Sequence, residues 1–258
     1  MNIFFFNKIF QKDGWKENTK ISTDSDGRVT SIEENSSAND SDIKIPIGIP
    51  GFVNSHSHAF QYAMAGITEN HHSNTSSNFW TWRNAMYDLA LNISPDEMQK
   101  IATMLYNEML RNGYTQVAEF HYLHHDKSGN YYENRAEMSE RLLLAAKDVG
   151  IEITIIPICY SKGGFGANYF PEQKRFISKN SNDYFKLFES TLKVCKNYKT
   201  NIGIGVHSLR AVDANCFKDI NEFNNSEYPF HLHISEQKKE VNDALKYLGE
   251  RPVEWLFN

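Results

Sequence analysis

The chain has 258 residues, of which 40% are hydrophobic and 13% aromatic, and this composition excludes a disordered or fibrous protein. A net charge of −5, with both signs interspersed, argues against nucleic acid or an acidic membrane as a partner and favours a small molecule. No apolar run approaches the roughly 18 residues of a membrane span, and three cysteines without CxxC spacing fit a reducing cytoplasm.

Residues 1–45 predict a small β domain, in the form of a partial β-sandwich. It contains three short strand-like segments, at 3–6, 21–23 and 29–32. The Asp-Gly pair that ends at Gly27 lies between the last two segments and indicates a hairpin. Residues 33–42 are polar and typical of a linker, and an apolar strand follows them. We therefore expect a domain boundary near residue 45.

Beyond that boundary, helices alternate with strands. Ser94 is a predicted N-cap, with proline next and a carboxylate three residues later, and the helix it starts is expected to stop at Gly113. The later strands are predicted at 114–119, 151–158, 202–206 and 230–234, and the later helices at 135–149, 183–198, 215–223 and 239–248.

Repeated βα units predict a parallel sheet, and polar residues collect where its strands end. In a (β/α)8 barrel those ends form the catalytic face. A closed barrel needs eight units, whereas about five are visible. The fold class predicted for 46–258 is therefore α/β, an incomplete (β/α)8 TIM barrel, truncated at its C-terminal end.

His56 and His58 follow the apolar strand directly. Residues two apart in a strand project to the same face, so both imidazoles can reach one point beyond its end. Zinc takes imidazole nitrogen readily, and a catalytic zinc site keeps a position open for water. The alternative is a pair of hydrogen-bonded histidines at a strand end. The pair, together with a third histidine downstream, favours one divalent metal ion, zinc.

The downstream cluster lies on the strand at 230–234. His231 and His233 share one face of that strand, so the spacing alone leaves open which of them is the third ligand. Glu236 lies three residues beyond His233 and is placed to protonate a leaving nitrogen. Its alternative role is that of a surface carboxylate at a helix start, where the helix dipole stabilises it.

Three further side chains are candidates for holding an anionic substrate. Arg210 and His207 lie at the end of a predicted strand, and Arg83 lies in an aromatic-rich segment. A guanidinium pairs with a carboxylate through two parallel hydrogen bonds. Arginines on a protein surface are common, so Arg83 and Arg210 can also be ordinary solvated residues.

Several blocks of this sequence resemble the amidohydrolase superfamily and, within it, the deiminases that act on N-formimino-L-glutamate. The first block is the segment 50–66, which carries His56, His58 and Gln61. The other blocks follow in order and at similar spacing: 79–83, 117–125, 207–212 and 231–237. The resemblance covers nearly the whole chain, and these blocks are more specific than the His-x-His pattern alone.

The resemblance implies zinc-dependent hydrolysis of N-formimino-L-glutamate to N-formyl-L-glutamate and ammonia, a step of histidine degradation. By that resemblance His56, His58 and His233 are metal ligands, and Glu236 is the catalytic proton carrier. The substrate, a small molecule with two carboxylates, is then held by Gln61, Arg83, Tyr122, His207 and Arg210. A cytoplasmic location and a homodimer are compatible with the resemblance.

Members of this family continue through further strands that supply another histidine and an aspartate ligand. Because these are lacking, we expect the 258-residue chain to bind metal weakly and to turn over little. One alternative is another deaminase of the superfamily that acts on an amino-heterocycle, against which the arginines argue because a neutral ring has no carboxylates. A second alternative is a non-catalytic remnant of the deiminase.

Overall fold

The structure is a computed structural model that describes residues 2–66 and 79–258, with the side chains of 79–81 left out. The described part of the chain forms two compact units, the first ending at Phe52 and the second comprising Val53–Asn258. None of its helices combines the length and the apolar character that crossing a bilayer requires.

The first unit is built on a four-stranded sheet in the order β3-β2-β1-β4. Its strands are β1 (Asn2–Gln11), β2 (Gly14–Thr23), β3 (Val29–Glu33) and β4 (Ile43–Gly48). The predicted hairpin between β2 and β3 is confirmed, since Asp24 Oδ1 accepts the amide N–H groups of Asp26 and Arg28 and Gly27 has a φ of 80°. The sequence did not predict the preceding hairpin, which turns before Gly14, or the full length of β1 and β2.

The apolar run before His56 contains two strands instead of the one predicted. Its first part is β4, which pairs in parallel with β1, and its last part begins β5 (Phe52–Ser57). Pro50 and Gly51 separate the two, because proline donates no hydrogen bond to a sheet and glycine favours a turn. The predicted boundary near residue 45 thus falls inside β4, whereas the structural division follows Phe52.

The second unit is an α/β unit around a parallel sheet. Its strands after β5 are β6 (Tyr114–His121), β7 (Glu152–Cys159), β8 (Asn201–Ile202), β9 (Ile204–Ser208) and β10 (Phe230–His233). The sheet has the order β10-β9-β7-β6-β5, and β8 pairs with β7 off this path. The ladders from β6 to β10 are parallel, so the C-terminal ends of these strands lie at one edge.

Helices follow the strands, as the alternating pattern predicted. They are α1 (Phe79–Asn92), α2 (Pro95–Arg111), α3 (Glu137–Val149), α4 (Ser181–Tyr198), α5 (Ala214–Asn224), α6 (Lys238–Leu248) and α7 (Pro252–Phe257). The N-cap Ser94 is confirmed, because it forms a reciprocal capping box with Glu97. The helix α1 was not predicted.

The core of the second unit lies between the sheet and these helices. The strand β7 is deeply buried, and its apolar side chains Ile153, Ile155, Ile156 and Ile158 are each 1% exposed or less. A strand covered on both faces reads as a continuous apolar run, which is why β7 was recognisable from the sequence. This rigid sheet supports the polar residues that emerge at its C-terminal edge.

Candidate active site

Three histidines meet at the C-terminal edge of the sheet. The Nε2 atom of His56 lies 3.1 Å from that of His58 and 3.1 Å from that of His233, and the remaining separation is 3.2 Å. This is the one group of three or more possible ligand residues among the described residues whose ligand atoms lie close enough to hold a metal ion. His233 belongs to this group, and His231 does not.

The neighbouring strands fix the orientation of two of these rings. The Nδ1 atom of His58 lies 2.9 Å from the carbonyl oxygen of Phe120, and that of His233 lies 3.2 Å from the carbonyl oxygen of His207. A carbonyl only accepts, so each Nδ1 carries the hydrogen and each Nε2 keeps a lone pair directed at the common point. This is the tautomer that metal coordination requires.

Burial keeps the rings uncharged. It lowers the pKa of His58 to about 3 and the pKa of His233 to about 4, and it also lowers the pKa of His56. Only a neutral imidazole can coordinate a cation, so the environment already favours the ligating form at neutral pH.

A buried carboxylate that the sequence did not indicate as functional lies behind the histidines. Glu119, on β6, is 1% exposed, and its Oε1 accepts the backbone N–H of Ala59 while its Oε2 accepts the hydroxyl of Tyr106 at 3.2 Å. Burial raises the pKa of Glu119 to about 7, although these hydrogen bonds and one from Ser57 lower it. A lone glutamate within an apolar strand was the signal available in the sequence.

Two of the three histidines, His58 and His233, border a cavity of about 980 Å³. Its lining includes Gln61, Arg83, Tyr122, His207, Arg210 and Glu236, together with His58 and His233. Aromatic rings form much of the remaining wall, among them Trp82, Tyr87, Tyr160 and Phe176. All five residues predicted to bind substrate and the predicted proton carrier therefore face the same space as two of the predicted ligands.

Gln61 and Tyr122 form a polar pair in this cavity. The Nε2 group of Gln61 donates to the hydroxyl oxygen of Tyr122 at 2.7 Å, which leaves the Tyr122 hydroxyl hydrogen available to a ligand. Burial raises the pKa of Tyr122, so the hydroxyl stays protonated and acts as a donor.

Arg210 and Glu236 pair across the cavity wall. An Nη2 atom of Arg210 lies 2.9 Å from Oε2 of Glu236, so the predicted substrate anchor and the predicted proton carrier contact each other. The backbone N–H of Glu236 donates to Oε2 of Glu240 at 3.0 Å, and Glu240 is 3% exposed. Ser235, between the strand and this contact, adopts a φ of 56°, so the turn after His233 is tightly specified.

Arg83 and Trp82 reach the cavity from α1. The guanidinium carbon of Arg83 lies 5.6 Å from the ring centroid of Tyr87, one helical turn further along. Of the block 79–83, the side chains of Phe79, Trp80 and Thr81 lie outside the part of the chain that the structure describes.

The position of α1 depends on buried polar side chains from another segment. Gln173 donates to the hydroxyl oxygens of Tyr87 at 3.0 Å and Tyr160 at 2.8 Å. Arg175 is fully buried and donates to the carbonyl oxygens of Ala90, in the last turn of α1, and of Ile93, just beyond that helix. Neither residue was identified from the sequence, since an isolated glutamine or arginine is ordinarily a surface residue.

His207 lies between the histidine group and the aromatic wall. Its ring centroid is 4.8 Å from that of His233 and 4.5 Å from that of Tyr160. Burial lowers its pKa well below the usual value, and His233 and Arg210 lower it further. It is therefore a neutral hydrogen-bonding group at neutral pH, suited to a polar substrate atom.

Comparisons with known proteins found a matching family model, related sequences and similar solved structures. The model of the amidohydrolase family matches residues 47–256. Formimidoylglutamate deiminase of Pseudomonas aeruginosa is 38% identical over all 258 residues, which cover 56% of that relative. A solved amidohydrolase from Brucella melitensis superposes with a TM-score of 0.94 at 37% identity, over 100% of this chain and 57% of that one.

More distant structures share the fold alone. An adenosine deaminase from Xanthomonas campestris, solved with bound zinc, superposes with a TM-score of 0.70 at 17% identity, over 99% of this chain and 54% of that one. The chain thus spans about half the length of the proteins it matches. The α/β architecture predicted from the sequence is confirmed as that of the (β/α)8 type. With the family model matching most of its length, this chain belongs to the amidohydrolase family.

Proposed function

We propose that this protein is a zinc-dependent deiminase that converts N-formimino-L-glutamate and water into N-formyl-L-glutamate and ammonia, a step of histidine degradation. The observation that carries the proposal is the convergence of three imidazole nitrogens, within 3.2 Å of one another, beside a cavity that also contains Arg83 and Arg210. The 38% identity to formimidoylglutamate deiminase supports the choice of substrate.

The donor set fits zinc. Three neutral imidazoles with their Nε2 lone pairs directed at one point match the ligands of catalytic zinc sites, and a set of nitrogen donors disfavours calcium or magnesium. His56, His58 and His233 would hold the ion. A bound zinc ion supplies Lewis acidity that brings the pKa of water toward about 7.

The arginines account for a substrate with two carboxylates. Arg210 lies beside the histidine group, and Arg83 projects from α1, so the two cations approach the cavity from different elements. Each guanidinium can pair with a carboxylate, while the Tyr122 hydroxyl and His207 contribute neutral hydrogen bonds. A neutral heterocycle offers no carboxylate to either arginine, which disfavours the alternative deaminase.

Glu236 is the group that carries the proton to the departing nitrogen. It follows the ligand His233 by three residues, and its side chain is 35% exposed toward the cavity. The ion pair with Arg210 holds its Oε2 in place, and the carboxylate can take a proton and release it to the amine that leaves as ammonia. Arg210 thereby orients the carboxylate as well as the substrate.

The proposal is tested by ammonia release from N-formimino-L-glutamate and by calorimetric binding of N-formyl-L-glutamate, each with and without added zinc. Arg210→Ala is expected to weaken binding by roughly 10- to 100-fold, because a charge-assisted pair in a partly closed site is lost. Arg141→Ala is the matched control, since Arg141 pairs with Glu137 and Asp96 on α3 and α2, away from the cavity lining. Failure of the parent both to release ammonia and to bind the product would contradict the proposal.

A further inference from the structure

Glu119 has no part in the mechanism given above, yet its side chain contacts the segment that carries two of the three histidines. Oε1 accepts the backbone N–H of Ala59, the residue that follows His58. The carboxylate also accepts a hydrogen bond from the side chain of Ser57, which lies between His56 and His58. The carboxylate therefore contacts the chain on both sides of one ligand.

The other oxygen fixes the carboxylate itself. Oε2 accepts the hydroxyl of Tyr106 at 3.2 Å, and Tyr106 is a fully buried residue of α2. Glu119 thus links the ligand segment to a helix that packs behind it. Burying a carboxylate without hydrogen-bond donors would destabilise the fold. Here Ala59, Ser57 and Tyr106 supply donors to the Glu119 carboxylate.

The two faces of β6 contact different parts of the site, because side chains alternate along a strand. Glu119 and Phe120 are adjacent, so their side chains project to opposite sides of the sheet. The Phe120 ring lies against the histidines, with its centroid 4.4 Å from that of His233, and its carbonyl oxygen orients His58. Ser57, on the strand between two ligands, is buried on the side that Glu119 occupies.

We propose that Glu119 is a positioning residue of the metal centre, whose carboxylate fixes the chain around His58 so that the three Nε2 atoms converge. The inference rests on the proposed zinc site, and it assigns Glu119 no contact with metal or substrate. Outer partners of metal ligands typically contribute 10- to 100-fold in metal affinity.

The test measures zinc affinity of the 258-residue chain by competition with a chromophoric chelator. Glu119→Leu removes the acceptor at similar length and is expected to weaken zinc binding by roughly 10- to 100-fold. Glu119→Gln is expected to remain within about threefold of the parent, because its amide oxygen can accept from Ala59 and its NH2 can donate to the Tyr106 oxygen. Equal affinity of Glu119→Leu and the parent would overturn the proposal, as would a glutamine variant no better than leucine.

If Glu119→Leu does not fold, two variants that each remove a single hydroxyl group test the positioning role of Glu119. Tyr106→Phe removes one donor to the carboxylate and is expected to weaken zinc binding by roughly threefold. Tyr184→Phe is its control, since the equally buried Tyr184 hydroxyl donates to the carbonyl of Pro157 and accepts from Gly205, away from Glu119. Identical zinc affinities of the two phenylalanine variants would then overturn the proposal.

Thermal unfolding separates positioning from a structural role. A structural role lowers the midpoint of the metal-free protein and leaves the rise on zinc addition unchanged, whereas a positioning role reduces that rise. A parent chain that binds no zinc would refute the proposed function itself. A parent that binds zinc no more tightly than Glu119→Leu would refute only the inference about Glu119.

Discussion

The two sides of the cavity are held in place by different means. The metal side consists of the ends of β5, β6 and β10, and its rings are oriented by carbonyl oxygens of adjacent strands. The substrate side includes α1 and the segment 160–176, and there the contacts run between buried side chains distant in sequence, such as Gln173 and Tyr87. The metal side depends on strand register, and the substrate side depends on a few long-range polar contacts.

This difference implies that the two functions can be damaged separately. A change at the metal side should lower zinc affinity, whereas a change at the substrate side should lower stability or substrate affinity and leave zinc binding intact. The predictions below test that separation, beginning with the largest expected effect.

Loss of one ligand should have the largest effect. His233→Gln is expected to lower zinc affinity by more than the roughly 100-fold that bounds outer-partner effects. His231→Gln is the matched control on the same strand, because His231 lies outside the histidine group, and its zinc affinity should equal that of the parent. Chelator competition measures both, and a reversal of the two results would assign the third ligand to His231.

Loss of Arg175 should affect the substrate side alone. Arg175→Met leaves the carbonyl oxygens of Ala90, Ile93 and His125 without this donor, so the free energy of unfolding should fall by about 3 kcal/mol. Urea denaturation measures the change. Arg111→Met, at an exposed arginine, should change stability by less than about 0.5 kcal/mol. A large loss of zinc affinity in folded Arg175→Met would show that the two sides are not separate.

Loss of Gln173 should lower the affinity for substrate more than it lowers the free energy of unfolding. Gln173→Leu breaks the bridge between Tyr87 and Tyr160, two residues of the cavity wall, and N-formyl-L-glutamate is expected to bind about fivefold more weakly. Titration calorimetry measures this. Gln99→Leu serves as control because Gln99 contacts Asp148 on the helix surface. Unchanged product affinity in Gln173→Leu would remove Gln173 from the substrate side.

The remaining prediction concerns the acid sensitivity of the fold. Burial lowers the pKa of His124 to about 3, while an unfolded histidine titrates near 6.5. Between these values the unfolded chain binds more protons than the folded chain, so the free energy of unfolding decreases as pH falls, by at most about 1.4 kcal/mol per pH unit. His124→Gln keeps a donor for the carbonyl of Ile158 and should reduce this slope. An unchanged slope in urea denaturation from pH 6.5 to 4.5 would contradict the prediction.

The sequence predicted most of the second unit because its signals are local. Capping at Ser94 and glycine at position 150 mark helix ends, and the β-branched run of β7 marks a buried strand. These features depend on neighbouring residues only. The helix α1 escaped prediction because its apolar and polar residues show a weak helical pattern.

The sequence predicted those site residues whose side-chain chemistry and spacing along the chain indicate the same role. His56 and His58 stand two residues apart at a strand end, which alone indicates a shared face. Coordinates were needed to show that His233, and not His231, lies beside His56 and His58, since spacing puts both on one strand face. Glu119 and Arg175 escaped notice because their partners are far away in sequence, and no local pattern reveals a long-range hydrogen bond.

The central claim is that three imidazoles from two distant strands bind one cation. X-ray absorption at the zinc edge, on the chain loaded with one equivalent of zinc, tests it most directly. We predict a first shell containing three imidazole nitrogens at about 2.0–2.1 Å, reduced by one nitrogen in His58→Asn. A sulfur-containing shell, or a shell that His58→Asn leaves unchanged, would contradict the account.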